Sequence, residues 1–278
     1  MENVSGTDLT LIKPAVDLEA KLIYAVTSGN AEEARRILKK GISVNFIDAD
    51  SGTTPLVRSV FCEDTEMTEL LLSFGADPNM LSRDDDSPLI SGAIWGGDKR
   101  VVQLLLEAGA DPNLRGADPT GPGGSEKTTP LHCAVWGSAR PDVVKILIRS
   151  GADVNARCNG YTPLMEAALF GFPEIINILL DAGADINAAG NKNETALHNA
   201  LLEGQSDAVF LLIARGADPD IKDSSGQSPL DMAIIGKFGS VRICPNKVLH
   251  ALSEASRLRR EDLREETGIS ATKFEFDI

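Results

Sequence analysis

The sequence predicts an all-α solenoid of about seven stacked helix–turn–helix repeats joined by hairpin loops. Two landmarks and one pattern predict it. A T/S-P-L tripeptide begins at Thr54, Ser87, Thr129, Thr162 and Ser228, with Thr195-Ala196-Leu197 as a variant copy, at intervals of 33, 42, 33, 33 and 33 residues. G-A-D-x-N begins at Gly75, Gly109, Gly151 and Gly183, with weaker copies at Gly41 and Gly216. Between the landmarks, apolar residues such as Ile175, Ile176 and Leu179 keep helical spacing.

Each landmark has a mechanical reading. Thr or Ser accepts a backbone N–H at a helix start, and Pro suits the first helical position because its missing donor would be unpaired there anyway. This predicts a first helix such as Thr162 to Phe170. The apolar second helix follows, and the Gly of GAD ends it by adopting the left-handed cap conformation. A polar turn, for example Ile221 to Gly226, leads to the next repeat. A helix pair of this size cannot bury its apolar stripe alone, so neighbours must stack.

These residues carry a family resemblance. Thr129-Pro130-Leu131-His132-Cys133-Ala134 matches the ankyrin signature T-P-L-H-x-A, and Thr195 to Ala200 nearly does. The chain is identified as a member of the ankyrin-repeat family over roughly residues 17–260. The resemblance implies L-shaped repeats of two antiparallel helices and a hairpin, stacked in a curved array. It further implies that His132 and His198 bond to neighbouring backbone and orient the loop. The Asn of G-A-D-x-N is expected to bond within its own loop.

The ends and one interval depart from the pattern. Residues 1–16 are expected as an N-terminal tail and 17–49 as a capping repeat diluted by charge. Residues 115–127 form a Gly/Pro-rich loop insertion, read as tolerated lengthening. Residues 226–266 form an irregular C-terminal cap repeat with a helix from Asn246 to about Glu266. Residues 267–278 are expected as a flexible tail.

Composition bounds the function. The 278 residues are 42% apolar and 24% charged, with a net charge of −14 that disfavours nucleic acid and anionic membrane and suits a basic partner. Four dispersed cysteines without a CxxC pair read as free thiols in a reducing compartment. Neither a signal peptide nor a membrane-length apolar run is evident, so an intracellular, cytoplasmic or nuclear, monomer is expected. The sequence contains no P-loop, nucleotide-binding glycine pattern, nucleophile elbow or EF-hand spacing. No enzyme activity, cofactor or metal is therefore expected.

Aligning the repeats on T-P-L places Phe61, Ile94, Trp136, Leu169, Leu202 and Ile235 at the eighth position. Trp95 and Phe170 stand at the ninth. In ankyrin arrays these positions usually face the inner surface, so Phe61, Ile94, Trp95, Trp136, Leu169, Phe170 and Leu202 are the expected partner-binding stripe. Asp48, Asp50, Asp84, Asp85 and Asp86 at hairpin tips, with Asp220 and Asp223, are the expected acidic rim. The expected function is an adaptor, scaffold or inhibitor that binds protein. The alternative is a subunit that regulates or targets a partner enzyme, including a bacterial effector or immunity-type role.

Overall fold

A computed structural model describes residues 9–84, 87, 99–116, 127–136, 139–235 and 245–267. Among these there is no strand, only isolated bridges at Gly116–Thr128 and Cys158–Tyr161. The chain divides into two compact units, Met1–Asp153 and Val154–Ile278.

The first unit holds α1 (Leu9–Thr27), α2 (Ala31–Leu38), α3 (Pro55–Phe61), α4 (Thr65–Ser73), α5 (Lys99–Glu107), α6 (Pro130–Trp136) and α7 (Pro141–Arg149). Helix α1 begins at Leu9, inside the stretch expected as a tail. First and second helices of a repeat pack as pairs (α1 with α2, α3 with α4, α6 with α7), and α1 packs on α3. Second helices pack on one another in turn, α2 on α4, α4 on α5 and α5 on α7. Leu22, Ile37, Met67, Leu71, Leu105 and Leu147 are fully buried between them, each worth about 1.5–3 kcal/mol of apolar transfer.

The second unit holds α8 (Pro163–Phe170), α9 (Pro173–Asp181), α10 (Ala196–Leu202), α11 (Ser206–Ala214), α12 (Pro229–Ile234) and α13 (Pro245–Thr267). Helix α8 packs on α10 and α10 on α12, while α9 packs on α11 and α11 on α13. Helix α13 thus stands where the second helix of a repeat would, and buries Val248 and Leu252.

The caps work as their residue types require. The hydroxyl oxygens of Thr54, Thr162 and Ser228 accept the N–H of Val57 (3.0 Å), Met165 (3.3 Å) and Asp231 (3.1 Å). The glycines that end the second helices, from Gly41 to Gly216, all have φ between +83° and +93°. No neighbouring atom would touch a Cβ added there, so backbone conformation alone demands glycine.

The Asn of G-A-D-x-N acts differently from expectation, because it bonds across repeats. Asn45 Nδ2 donates to Gly75 O (3.0 Å) while its Oδ1 accepts Asp77 N–H (2.8 Å). Asn79 repeats this with Gly109 and Asp111, and Asn113 with Gly151 and Asp153. In the second unit Asn155 does so with Gly183 and Asp185. The planar amide presents a donor and an acceptor side by side, which suits a backbone C=O and N–H two residues apart.

Two departures from the sequence pattern are also explained. Ser59, a buried hydroxyl where a small apolar residue is usual, donates to Leu56 O (2.9 Å) and pairs with Thr68 Oγ1 (3.0 Å), stitching α3 to α4. The long interval closes at its base: Gly116 and Thr128 exchange N–H···O bonds of 3.1 and 3.0 Å. Residues 117–126 of the insertion, and the expected tail 268–278, lie outside the described residues.

Candidate interaction surface

In the described first helices the eighth position lies at or beside the C-terminal end, next to the turn. Repeat packing uses the preceding positions, as in α8, where Leu164, Met165, Ala167 and Ala168 are buried. The side chain at the end of the helix is left out of that contact. Phe61 is 38% exposed, Phe170 39%, Leu202 39% and Ile235 59%. Leu169 is half-buried. Ile94 and Trp95 lie outside the described residues, as does the side chain of Trp136, the last residue of α6.

In the second unit the helix ends are held in register. Gln205 Nε2 donates to Leu169 O (3.2 Å), and its side chain lies over Gly171, whose φ is +72°. Phe170 and Phe172 stack across this turn, with ring centroids 6.0 Å apart and planes 25° from parallel. Phe172 was not distinguishable in the sequence, since its partner is set by the turn and not by the repeat alignment.

The hairpin carboxylates are less available than their sequence positions suggest. Asp48 is half-buried, and its carboxylate accepts both the N–H (2.8 Å) and the hydroxyl (2.6 Å) of Ser51. Burial pushes its pKa up, but the Ser51 bonds, with Arg58 and Arg83 nearby, outweigh this and hold it below the ordinary value. Asp223 accepts from Ser225 and Gln227 in the same way. Asp220 binds Ser256 and Arg260. Asp50 and Asp84 are exposed, whereas Asp85 and Asp86 lie outside the described residues.

The histidines orient loops. His198 Nδ1 accepts the Thr195 N–H (3.0 Å), and its Nε2 lies 3.1 Å from Gln227 O of the next hairpin, which fixes the proton on Nε2. Burial lowers its pKa, against opposing contributions from Gln227, Asp223 and Glu194. His132 Nδ1 sits 2.8 Å from Thr129 Oγ1. Among the described residues no group of His, Cys, Asp and Glu is arranged to hold a metal ion, and no helix is long and apolar enough to cross a membrane. None of Cys62, Cys133 and Cys158 is in a disulfide.

Paired helices that stack on their neighbours through buried apolar faces define a helical repeat protein. Family models agree: ankyrin repeats (3 copies) match residues 22–116 and 93–190, and ankyrin repeats (many copies) match 179–233. The chain belongs to the ankyrin-repeat family.

Alpha-latrocrustotoxin-Lt1a of Latrodectus tredecimguttatus is 32% identical over 110 residues, 39% of this chain and 8% of the toxin. Neurogenic locus notch homolog protein 1 of Homo sapiens is 37% identical over 107 residues, 38% of this chain and 4% of that protein. The B-cell lymphoma 3 protein homolog of Mus musculus is 32% identical over 120 residues, 39% and 25% of the two chains. The match therefore spans a quarter or less of each of these relatives. Among solved structures, the ankyrin repeat domain of Bcl-3, a member of the IkappaB protein family, superposes with a TM-score of 0.69 at 24% identity, over 84% of this chain and 97% of that one. The human ASB11 ankyrin repeat domain gives 0.66 at 22% identity, over 84% and 96%. At these identities the likeness is one of fold.

Proposed function

We propose that this chain is a non-catalytic protein–protein interaction module, an adaptor, scaffold or inhibitor, that binds a protein partner through the inner face of its first helices. The observation that carries the reading is that Phe61, Leu202 and Ile235 at the eighth position of the repeat, and Phe170 at the ninth, are each more than a third exposed. Phe61, Ile94, Trp95 and Trp136 supply the apolar centre in the first unit, and Leu169, Phe170 and Leu202 in the second. Asp50 and Asp84 to Asp86 are the rim residues assigned to attraction of a basic partner, with Asp48 contributing mainly through its turn. The same reading takes the protein as an intracellular monomer that needs no cofactor.

The test compares affinity capture by wild type and by Trp95→Ala/Trp136→Ala. A partner retained by the first and lost by the second, with cooperative unfolding intact, is the expected result. Truncation of two aromatic anchors should weaken binding by about 2 kcal/mol or more each. Recovery of the same proteins at the same yield by both baits would sink the assignment.

A further inference from the structure

Three side chains on the first helices of the first unit form a group that the T-P-L alignment does not single out. Tyr24 and Arg58 each stand five residues before the left-handed residue of their turn, Gly29 (φ +67°) and Glu63 (φ +54°). The two turns match bond for bond: Asn30 N–H reaches Ala25 O at 2.8 Å, and Asp64 N–H reaches Ser59 O at 3.1 Å. Because α1 packs on α3, this register sets Tyr24 opposite Arg58 on neighbouring helices. Phe61 follows Arg58 by three residues, on the same face of α3. In other repeats the position of Arg58 is closed off, since Cys133, Glu166, Asn199 and Met232 are buried. Here Tyr24 is 76% exposed, Phe61 is 38% exposed and Arg58 is half-buried.

Arg58 is the unusual member. Its Nε is buried without a hydrogen-bond partner, and among the described residues no carboxylate lies within ion-pair distance of its guanidinium. Its charge acts on Asp48 at longer range, but that carboxylate is already held by Ser51. Arg83, which donates to Ala49 O (3.1 Å) and also acts on Asp48, adds a second cation near the same hairpin. A guanidinium keeps its charge, so taking water from it without supplying an acceptor costs free energy.

We propose that Tyr24, Arg58 and Phe61 form a contact site for a protein partner that lays an Asp or Glu carboxylate on the Arg58 guanidinium and a bulky apolar side chain against the two rings. The inference rests on the binding reading above and adds the chemistry of the partner at the first unit. The planar fork of Arg58 matches a carboxylate in two parallel bonds, and the contact supplies the acceptor that the fold withholds. Tyr and Arg are also the residue types that anchor interfaces most often. A second copy of this chain is a poorer source of the carboxylate, since a net charge of −14 on each repels.

Selection of short random peptides on the full-length protein tests this, followed by fluorescence anisotropy with a representative enriched peptide. Enriched peptides should carry Asp or Glu close to Phe, Trp, Leu or Met. Affinity should fall about tenfold in Arg58→Met, and equally when the acid of the peptide is replaced by its amide. The two changes together should cost little more than either alone, because both remove one contact. Affinity should be lost in Tyr24→Ala/Phe61→Ala, with denaturation midpoints confirming that the variant folds. The midpoint of unbound Arg58→Met should equal or exceed that of wild type, since no internal bond of the guanidinium is lost. A lowered midpoint would show that Arg58 serves the fold, and the inference would fall.

Binding lost in Tyr24→Ala/Phe61→Ala but indifferent to Arg58→Met and to the peptide's acid would overturn the carboxylate and leave an apolar contact standing. Binding indifferent to Tyr24→Ala/Phe61→Ala would remove the site from the first unit, while the Trp95→Ala/Trp136→Ala comparison still decides the wider binding reading. Enrichment of peptides without acids, or of none, would overturn the inference, as would a homodimer in sedimentation that Arg58→Met dissolves.

Discussion

Glu63 occupies the place that Gly171 and Gly204 fill in other repeats, the turn between first and second helix. Its φ is +54°, against +72° and +71° for the two glycines. A side chain in the left-handed region costs roughly 1–2 kcal/mol, partly offset by the lower entropy of a non-glycine unfolded chain. Glu63→Gly is therefore expected to stabilise the protein by about 0.5–1 kcal/mol, read as a raised denaturation midpoint. His198 sets a second expectation. Its folded pKa lies below the ordinary 6.5, so the unfolded state takes up the proton first. Stability from this residue is complete above pH 6.5 and declines as the pH falls below it. Melting temperatures at pH 7.5 and 5.5 should differ more in wild type than in His198→Gln. His198 is legible in the sequence as part of the T-P-L-H signature, but its bond to Gln227 and the left-handed backbone of Glu63 needed the fold.

At the scale of elements, helix starts and stops were legible because each rests on a local chemical rule. Thr54, Thr162 and Ser228 cap as their types require, and the glycines of GAD end helices through φ alone. The acidic rim was less legible. A carboxylate at a hairpin tip looks the same in sequence whether it faces solvent or accepts its own turn's N–H groups, as Asp48 and Asp223 do. The role of Asp220 was equally hidden. It replaces the Asn of the other repeats, and its carboxylate receives the Ser256 hydroxyl at 2.8 and 3.0 Å with Arg260 at 3.6 Å, while Arg259 binds Asp218 at 2.9 Å. An acceptor thus stands where the other repeats need a donor as well, and it fastens α13. Ser256 is buried, so Asp220→Ala would leave its hydroxyl without this acceptor, at a cost of about 1–3 kcal/mol. Faster amide exchange in α13 than in α8 of the variant is the expected readout.

For the whole chain, the helical class and family were readable because two landmarks share one period, and stacking is the way such pairs bury their cores. The net charge of −14 carries its own expectation. Self-repulsion among exposed carboxylates is screened within about 8 Å at physiological salt, whereas isolated surface ion pairs contribute little. Unfolding temperature should rise by roughly 2–4 °C between low and physiological ionic strength, the equivalent of about 1 kcal/mol. A fall would show that ion pairs such as Arg215–Asp181 outweigh the repulsion.

The closed base of the long interval bears on how this protein can be modified. Asn113 reaches Gly151 and Asp153 at 2.9 and 2.8 Å, much as Asn79 reaches Gly109 and Asp111 across the shorter interval. The Gly116–Thr128 bridge seals the two ends of the extra segment, so the stack does not register how many residues lie between them. That point is a natural graft site: an epitope, a fluorophore-bearing peptide or a second binding module spliced there is expected to leave the Asn113 bonds to Gly151 and Asp153 in place.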